Sequence, residues 1–141
     1  MEVRRVTLPS RFEEYDNRAA LERGPIVYCL EEQDVETDPA HPNDAVAAGY
    51  STLATLYIAA DATFTAEHRP DLLGGVTVLT GPVRQLNAMD DGERTLRASF
   101  IPYGVWGNRR PGPMRVWLGA RKAPLIEMAA PQERLGESCV G

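Results

Sequence analysis

The run Gly24-Pro25-Ile26-Val27-Tyr28-Cys29-Leu30 carries the first firm structural signal in this chain. A Gly-Pro pair stops whatever precedes it. Five β-branched, aromatic or small apolar residues then follow without a charge, the pattern of a buried strand. Upstream, residues 3–8 read as a short opening strand ended by Pro9 and Ser10. Between the two, Asn17-Arg18-Ala19-Ala20-Leu21-Glu22-Arg23 has the propensity for one or two helical turns, which Gly24-Pro25 halts before a packing face develops.

Downstream the same alternation of short apolar runs and turn residues continues. Residues 31–49 are acidic and contain Pro39 and Pro42, which reads as a long surface loop. Strands are expected over 53–58 and 63–67, the second with Phe64 and Ala66 alternating against Thr63, Thr65 and Glu67. Gly74-Gly75 opens Val76-Thr77-Val78-Leu79-Thr80, and Gly81-Pro82 closes it. Residues 83–89 and 94–101 flank Asp90-Asp91-Gly92-Glu93, where Asp91-Gly92 can supply the positive φ angles of a tight hairpin. Leu96, Ala98 and Phe100 then face one way, with Arg97 and Ser99 facing the other. After a loop rich in Gly, Pro and Arg over 104–113, Met114-Arg115-Val116-Trp117-Leu118 is the last strong strand. Short strands at regular spacing, without crossover helices, predict an all-β fold with little helix: an antiparallel β-sandwich of jelly-roll type over residues 1–118. Residues 119–141, broken by Pro124, Pro131 and Gly136, read as a loosely ordered tail with one short helix around 125–129.

Composition narrows the function classes. A chain of 141 residues fits one domain with one core. Twelve Gly and eleven Pro suit a chain that turns often and are too many for a helical bundle. The formal charge of −5 and scattered Arg residues, with Lys122 as the single lysine, argue against nucleic acid as a partner. No apolar run approaches the length that spans a bilayer as a helix, so no membrane role is expected. Residues 1–11 lack an apolar signal core. Cys29 and Cys139 make no disulfide framework and suit a reducing compartment, so the expected location is cytoplasmic.

Motifs for chemistry are sparse. Cys29, His41, His68 and Cys139 are too far apart to begin a zinc site, and Cys29 reads as a small core hydrophobe. No metal and no cofactor are expected. Ser10, Ser51, Ser99 and Ser138 lack a nucleophile motif. The doublets Glu13-Glu14, Glu31-Glu32 and Asp90-Asp91 fall in expected loops or turns, where solvated charge is the ordinary explanation. Neighbours on a strand would also point to opposite faces rather than across a cleft. Gly74-Gly75 lacks the glycines and the helix of a phosphate cradle and reads as a turn or bulge. One group stands out: Tyr103, Trp106, Asn108 and Arg109, with Arg110 beside them, combine aromatic faces with amide and guanidinium donors. Such a loop can contact a glycan, although packing onto a neighbouring domain is its commoner role.

Three stretches together resemble the C-terminal region of glycoside hydrolase family 127, the β-L-arabinofuranosidase family. They are Asp16-Asn17-Arg18 leading to Leu21-Glu22-Arg23-Gly24-Pro25-Ile26-Val27-Tyr28-Cys29-Leu30-Glu31; Arg69-Pro70-Asp71-Leu72-Leu73-Gly74-Gly75-Val76-Thr77-Val78-Leu79-Thr80-Gly81; and Ile101-Pro102-Tyr103-Gly104-Val105-Trp106-Gly107-Asn108-Arg109 through Met114-Arg115-Val116-Trp117-Leu118. The similarity covers residues 1–118. It implies a parent with a catalytic (α/α)₆ barrel followed by β-sandwich domains. In that barrel a zinc ion is held by one Glu and three Cys, one of those cysteines is the nucleophile, and a separate Glu is the acid/base. None of those positions lies in the matched part, and Cys29 falls on a sandwich strand. Ala19-Ala20 is shorter than the family's usual spacing, which bears on local register, and the chain continues beyond the family's usual end.

The resemblance therefore implies a non-catalytic C-terminal sandwich module that provides interdomain packing and stability beside a family 127-type barrel, without enzyme activity of its own. Two rival readings belong to other classes. One is a free-standing carbohydrate-binding module for arabinose-containing glycans. The other is a self-associating interaction domain whose exposed sheet edges pair.

Overall fold

A computed structural model describes residues 2–7, 18–37, 43–87, 92–107 and 112–122. Among them, nine strands form one hydrogen-bonded sheet: β1 (Val3–Thr7), β2 (Arg18–Arg23), β3 (Ile26–Glu31), β4 (Leu56–Tyr57), β5 (Thr65–Arg69), β6 (Val76–Leu86), β7 (Glu93–Pro102), β8 (Met114–Arg115) and β9 (Leu118–Gly119). Among the described residues, helix is confined to one turn at Asp44–Ala47 and 3₁₀ turns at Glu32–Asp34, Leu53–Thr55 and Tyr103–Val105, and the short helix expected around 125–129 lies outside them. None of these is long and apolar enough to cross a membrane. The fold is all-β, as the spacing of turns implies. Every strand pairing is antiparallel except the contact of β4 with β9 at Tyr57 and Gly119, which is parallel.

The pairings close on themselves. β2 pairs with β3, β3 with β7, β7 with β6, β6 with β4, β4 with β9, and β9 with β2 again. All six strands of this circuit send side chains into one core. Ala19 and Leu21 come from β2, Tyr28 and Leu30 from β3, Leu56 from β4, Leu79 and Val83 from β6, Leu96, Ala98 and Phe100 from β7, and Leu118 from β9. Residues at the alternate positions point outward. The remaining strands lie outside the ring, with β1 along β2, β5 along β6 and β8 along β3.

Two segments depart from the sequence reading for the same reason. Residues 18–23 have helical propensity but form β2, because β1 covers one edge of this strand while β9 and the β2–β3 hairpin share the other. That pairing satisfies the backbone more fully than one isolated helical turn could. The register sets Ala19 opposite Thr7 and Ala20 opposite Val6. Likewise Gly81-Pro82 does not end a strand, since β6 runs unbroken through it. A Cβ on Gly81 would lie 2.6 Å from the Thr63 carbonyl oxygen and 2.7 Å from Phe64 Cδ1, so the glycine serves a close approach rather than a turn. Phe64 uses that space to meet Phe100 edge-on at 5.5 Å. Pro82 sits where β5 has ended along β6 and β4 has not begun, a gap that tolerates a missing N–H.

Other boundaries shift. Residues 53–58 divide into a 3₁₀ turn and the two-residue β4, and β5 begins at Thr65 with its side chains largely exposed. The expected last strand splits into β8 and β9, which pair with different partners. Within the expected loop over 31–49, Glu31 ends β3, Val35 bridges to Ala98, and Asn43 caps the helical turn by accepting from the amides of Ala45 and Val46. Gly24-Pro25 does make a turn: with Arg23 opposite Ile26 and Gly24 at φ 60°, it is a two-residue hairpin of the primed kind. The closure of the β6–β7 hairpin around Asp91 lies outside the described residues, although Leu86 pairs with Glu93 on the near side.

Candidate docking face

A second apolar cluster lies on the outer surface of the ring, where β3, β7 and the first half of β6 are adjacent. Strand alternation turns Cys29, Ile101, Val76 and Val78 outward, and Met114 of β8 joins them. A single closed sheet would leave this patch wet. It is covered by the β5–β6 connection, through Leu72 and Leu73, and by the 3₁₀ turn after β7, through Tyr103, Val105 and Trp106. In the β5–β6 connection Leu73, Gly74 and Gly75 all take positive φ, at 51°, 78° and 102°. That is a tight reversal, as the Gly-Gly pair implies.

Tyr103 and Trp106 are both half-buried, so each keeps one surface against the cluster and one toward solvent. The structure thus brings these two sequence-chosen residues together. Asn108 and Arg109 lie outside the described residues. Val27 is on the outward side of β3 with Cys29 and is 41% exposed, while Ile26 is 37% exposed at the hairpin end. The expectation of a wholly buried strand over 26–30 therefore holds only from Tyr28 onward.

One residue was missed by the sequence reading. Glu31, expected to be a solvated loop acid, is 2% exposed at the end of β3. Its Oε1 accepts from the Gly107 amide at 3.1 Å, and its Oε2 accepts from Gln33 Nε2 at 2.9 Å. The neighbouring Glu32 amide donates to the Pro113 carbonyl at 3.1 Å. A signal was present in the sequence: Glu31 continues β3 two residues after Cys29, so strand alternation sets it on the same outward face that the turn after β7 covers.

At the opposite end of β7 a polar cluster occupies the outer face. The Tyr57 hydroxyl donates to Glu93 Oε2 at 2.8 Å, and Arg84 pairs with Glu93 Oε1 at 3.1 Å and donates to Thr95 Oγ1 at 3.0 Å. Burial, reinforced by the hydrogen bond to Glu93, pushes the Tyr57 phenol above its ordinary value. The Arg84 guanidinium is held more firmly protonated by Tyr57 and by the Glu93 charge. Among the described residues no three His, Cys, Asp or Glu side chains come together as a metal site. His41 and Cys139 fall outside the described residues.

Comparison with known proteins agrees with this architecture. The family model for the glycoside hydrolase family 127 C-terminal domain matches residues 3–119. A solved GH127 β-L-arabinofuranosidase from Geobacillus stearothermophilus T6 superposes with a TM-score of 0.70 at 33% identity, covering 86% of this chain and 18% of that one. A GH127 β-arabinofuranosidase gives a TM-score of 0.69 at 27% identity, covering 86% and 17%. A protein described as a glycoside hydrolase gives 0.68 at 26%, covering 86% and 20%. The chain thus spans about a fifth of the length of the structures it matches. No curated protein matches it.

Proposed function

The chain belongs to the glycoside hydrolase family 127 C-terminal domain family, and from that premise we propose that it is a non-catalytic module that packs against a family 127-type catalytic barrel and stabilises it. The observation that carries this reading is the extent of the match, which is confined to the C-terminal domain and takes up 18% of the Geobacillus stearothermophilus T6 enzyme. The outer face adds support. Half-buried Tyr103 and Trp106 with exposed Val27 offer aromatic and branched surface without a charge among them, as the centre of an interdomain contact does. Several acids are engaged within the fold: Glu31 accepts from Gly107 and Gln33, Glu93 accepts from Tyr57 and pairs with Arg84, Glu22 pairs with Arg4, and Glu67 with Arg69.

The test is a domain exchange. In the Geobacillus stearothermophilus T6 enzyme, the region this chain matches is replaced by residues 3–119 and, separately, deleted. The exchanged enzyme should melt in one transition near that of the parent and hydrolyse its substrate, whereas the deletion should melt lower or fail to accumulate. An exchanged enzyme no more stable than the deletion removes the reading. Saturable binding of arabinose-containing oligosaccharides to the 141-residue chain, abolished by Trp106→Ala, would put a glycan-binding role in its place.

A further inference from the structure

We propose that Glu31 is the positioning residue of the docking face: its buried carboxylate holds the Gly107 amide and so sets the turn that presents Tyr103 and Trp106 to the barrel. This rests on the docking reading above. A carboxylate at 2% exposure is costly to desolvate, and an apolar residue would end β3 more cheaply. The main core does not require the bond, since no residue of the 103–107 turn belongs to it. Through Oε1 the carboxylate ties that turn to the end of β3.

The turn needs that support. Its internal hydrogen bond, from the Trp106 amide to the Tyr103 carbonyl, is long at 3.4 Å, and Gly107 leaves it at φ 79°, a conformation favourable only to glycine. The charge-assisted bond from Gly107 to Glu31 is shorter, at 3.1 Å, and is partly buried. Because the Glu32 amide also donates to the Pro113 carbonyl, two consecutive residues at the junction of β3 and the following 3₁₀ turn hold both limbs of the connection between β7 and β8. The other carboxylate oxygen is occupied by Gln33, which fixes the rotamer from the opposite side. Trp106 is the residue directly before the held amide, so the bond fixes its backbone beside the cluster against which its indole packs.

Two measurements test this with Glu31→Ala and Glu31→Gln. In the 141-residue chain, Glu31→Ala should speed amide exchange at Gly107 about tenfold or more, the loss of roughly one charge-assisted hydrogen bond. Exchange in the β6–β7 ladder should be unchanged. Glu31→Gln keeps an oxygen acceptor and should retain most of the protection. In the exchanged enzyme, Glu31→Ala should bring the melting behaviour toward that of the deletion, with Glu31→Gln close to the unaltered exchange. Unchanged exchange at Gly107 in Glu31→Ala overturns the positioning role, and an equal loss of protection in the β6–β7 ladder overturns it in favour of a general structural role. A released Gly107 with undiminished melting of the exchanged enzyme overturns the link to docking. If the unaltered exchange already behaves as the deletion, the docking reading itself fails, which the Gly107 measurement distinguishes because it needs no barrel.

Discussion

Gly81 illustrates how a single hydrogen atom in place of a side chain shapes this core. Phe64 reaches Phe100 only because Gly81 leaves the space open on the inner side of β6. In Gly81→Ala the new methyl would meet a backbone oxygen, which cannot rotate away as a side chain can. The variant should lose about 1–3 kcal/mol, read as a lowered urea midpoint with unchanged slope; an unchanged midpoint would show that the neighbouring backbone yields freely. The Gly81-Pro82 pair reads as a strand end in the sequence because both residues are turn formers locally. Which function they serve depends on Thr63 and Phe64, residues that sequence distance hides. Glu31 is a similar case: the charge is visible in the sequence, its burial is not.

At the scale of elements, the ring stays closed through its weakest member. β9 has two residues, and its Gly119 carbonyl receives the Ile58 amide at 2.8 Å. Arg5 of β1 reinforces the same seam, donating from Nε and Nη2 to the Ile58 carbonyl and from Nη2 to the Ala120 carbonyl at 2.6 Å. One guanidinium thus joins the first strand to the ends of β4 and β9. Arg5→Ala should cost about 1–3 kcal/mol because two carbonyls lose their donors. Arg5→Lys should recover little, since the ammonium lacks the fork that spans both oxygens. Equal stability of Arg5→Lys and the unaltered chain in thermal melts would refute the clamp. The sequence revealed β1, β3, β6 and β7 because each has enough apolar or alternating residues to declare itself. It concealed β2, whose residues carry helical propensity, and it could not divide 53–58 into a 3₁₀ turn and β4 or 114–118 into β8 and β9, because that pairing is supplied by distant strands.

For the whole molecule, the closed circuit means that the main core is lost or kept as a unit, and the outward polar cluster at the start of β7 contributes to its stability at alkaline pH. The Tyr57 phenol is raised above its ordinary value of 10.0, mainly by burial. A phenol more basic in the folded than in the unfolded chain stabilises the fold fully below about pH 10, and that contribution disappears as pH rises through the folded value. Titration of phenolate absorbance should therefore contain a late-ionising step, and Tyr57→Phe should remove that step together with the corresponding fall in stability above about pH 10. A late step that persists in Tyr57→Phe would assign it elsewhere. The sequence by itself determined the all-β class, the family and the strands with clear alternation, because alternation, turn residues and motif order are local properties. Only the tertiary structure decided that the strands close into a ring, that residues 18–23 are a strand, and that Glu31 is an internal support of the outer face. Those outcomes depend on which backbone edge or side chain lies opposite, and opposition in space is set by packing between residues far apart in the chain.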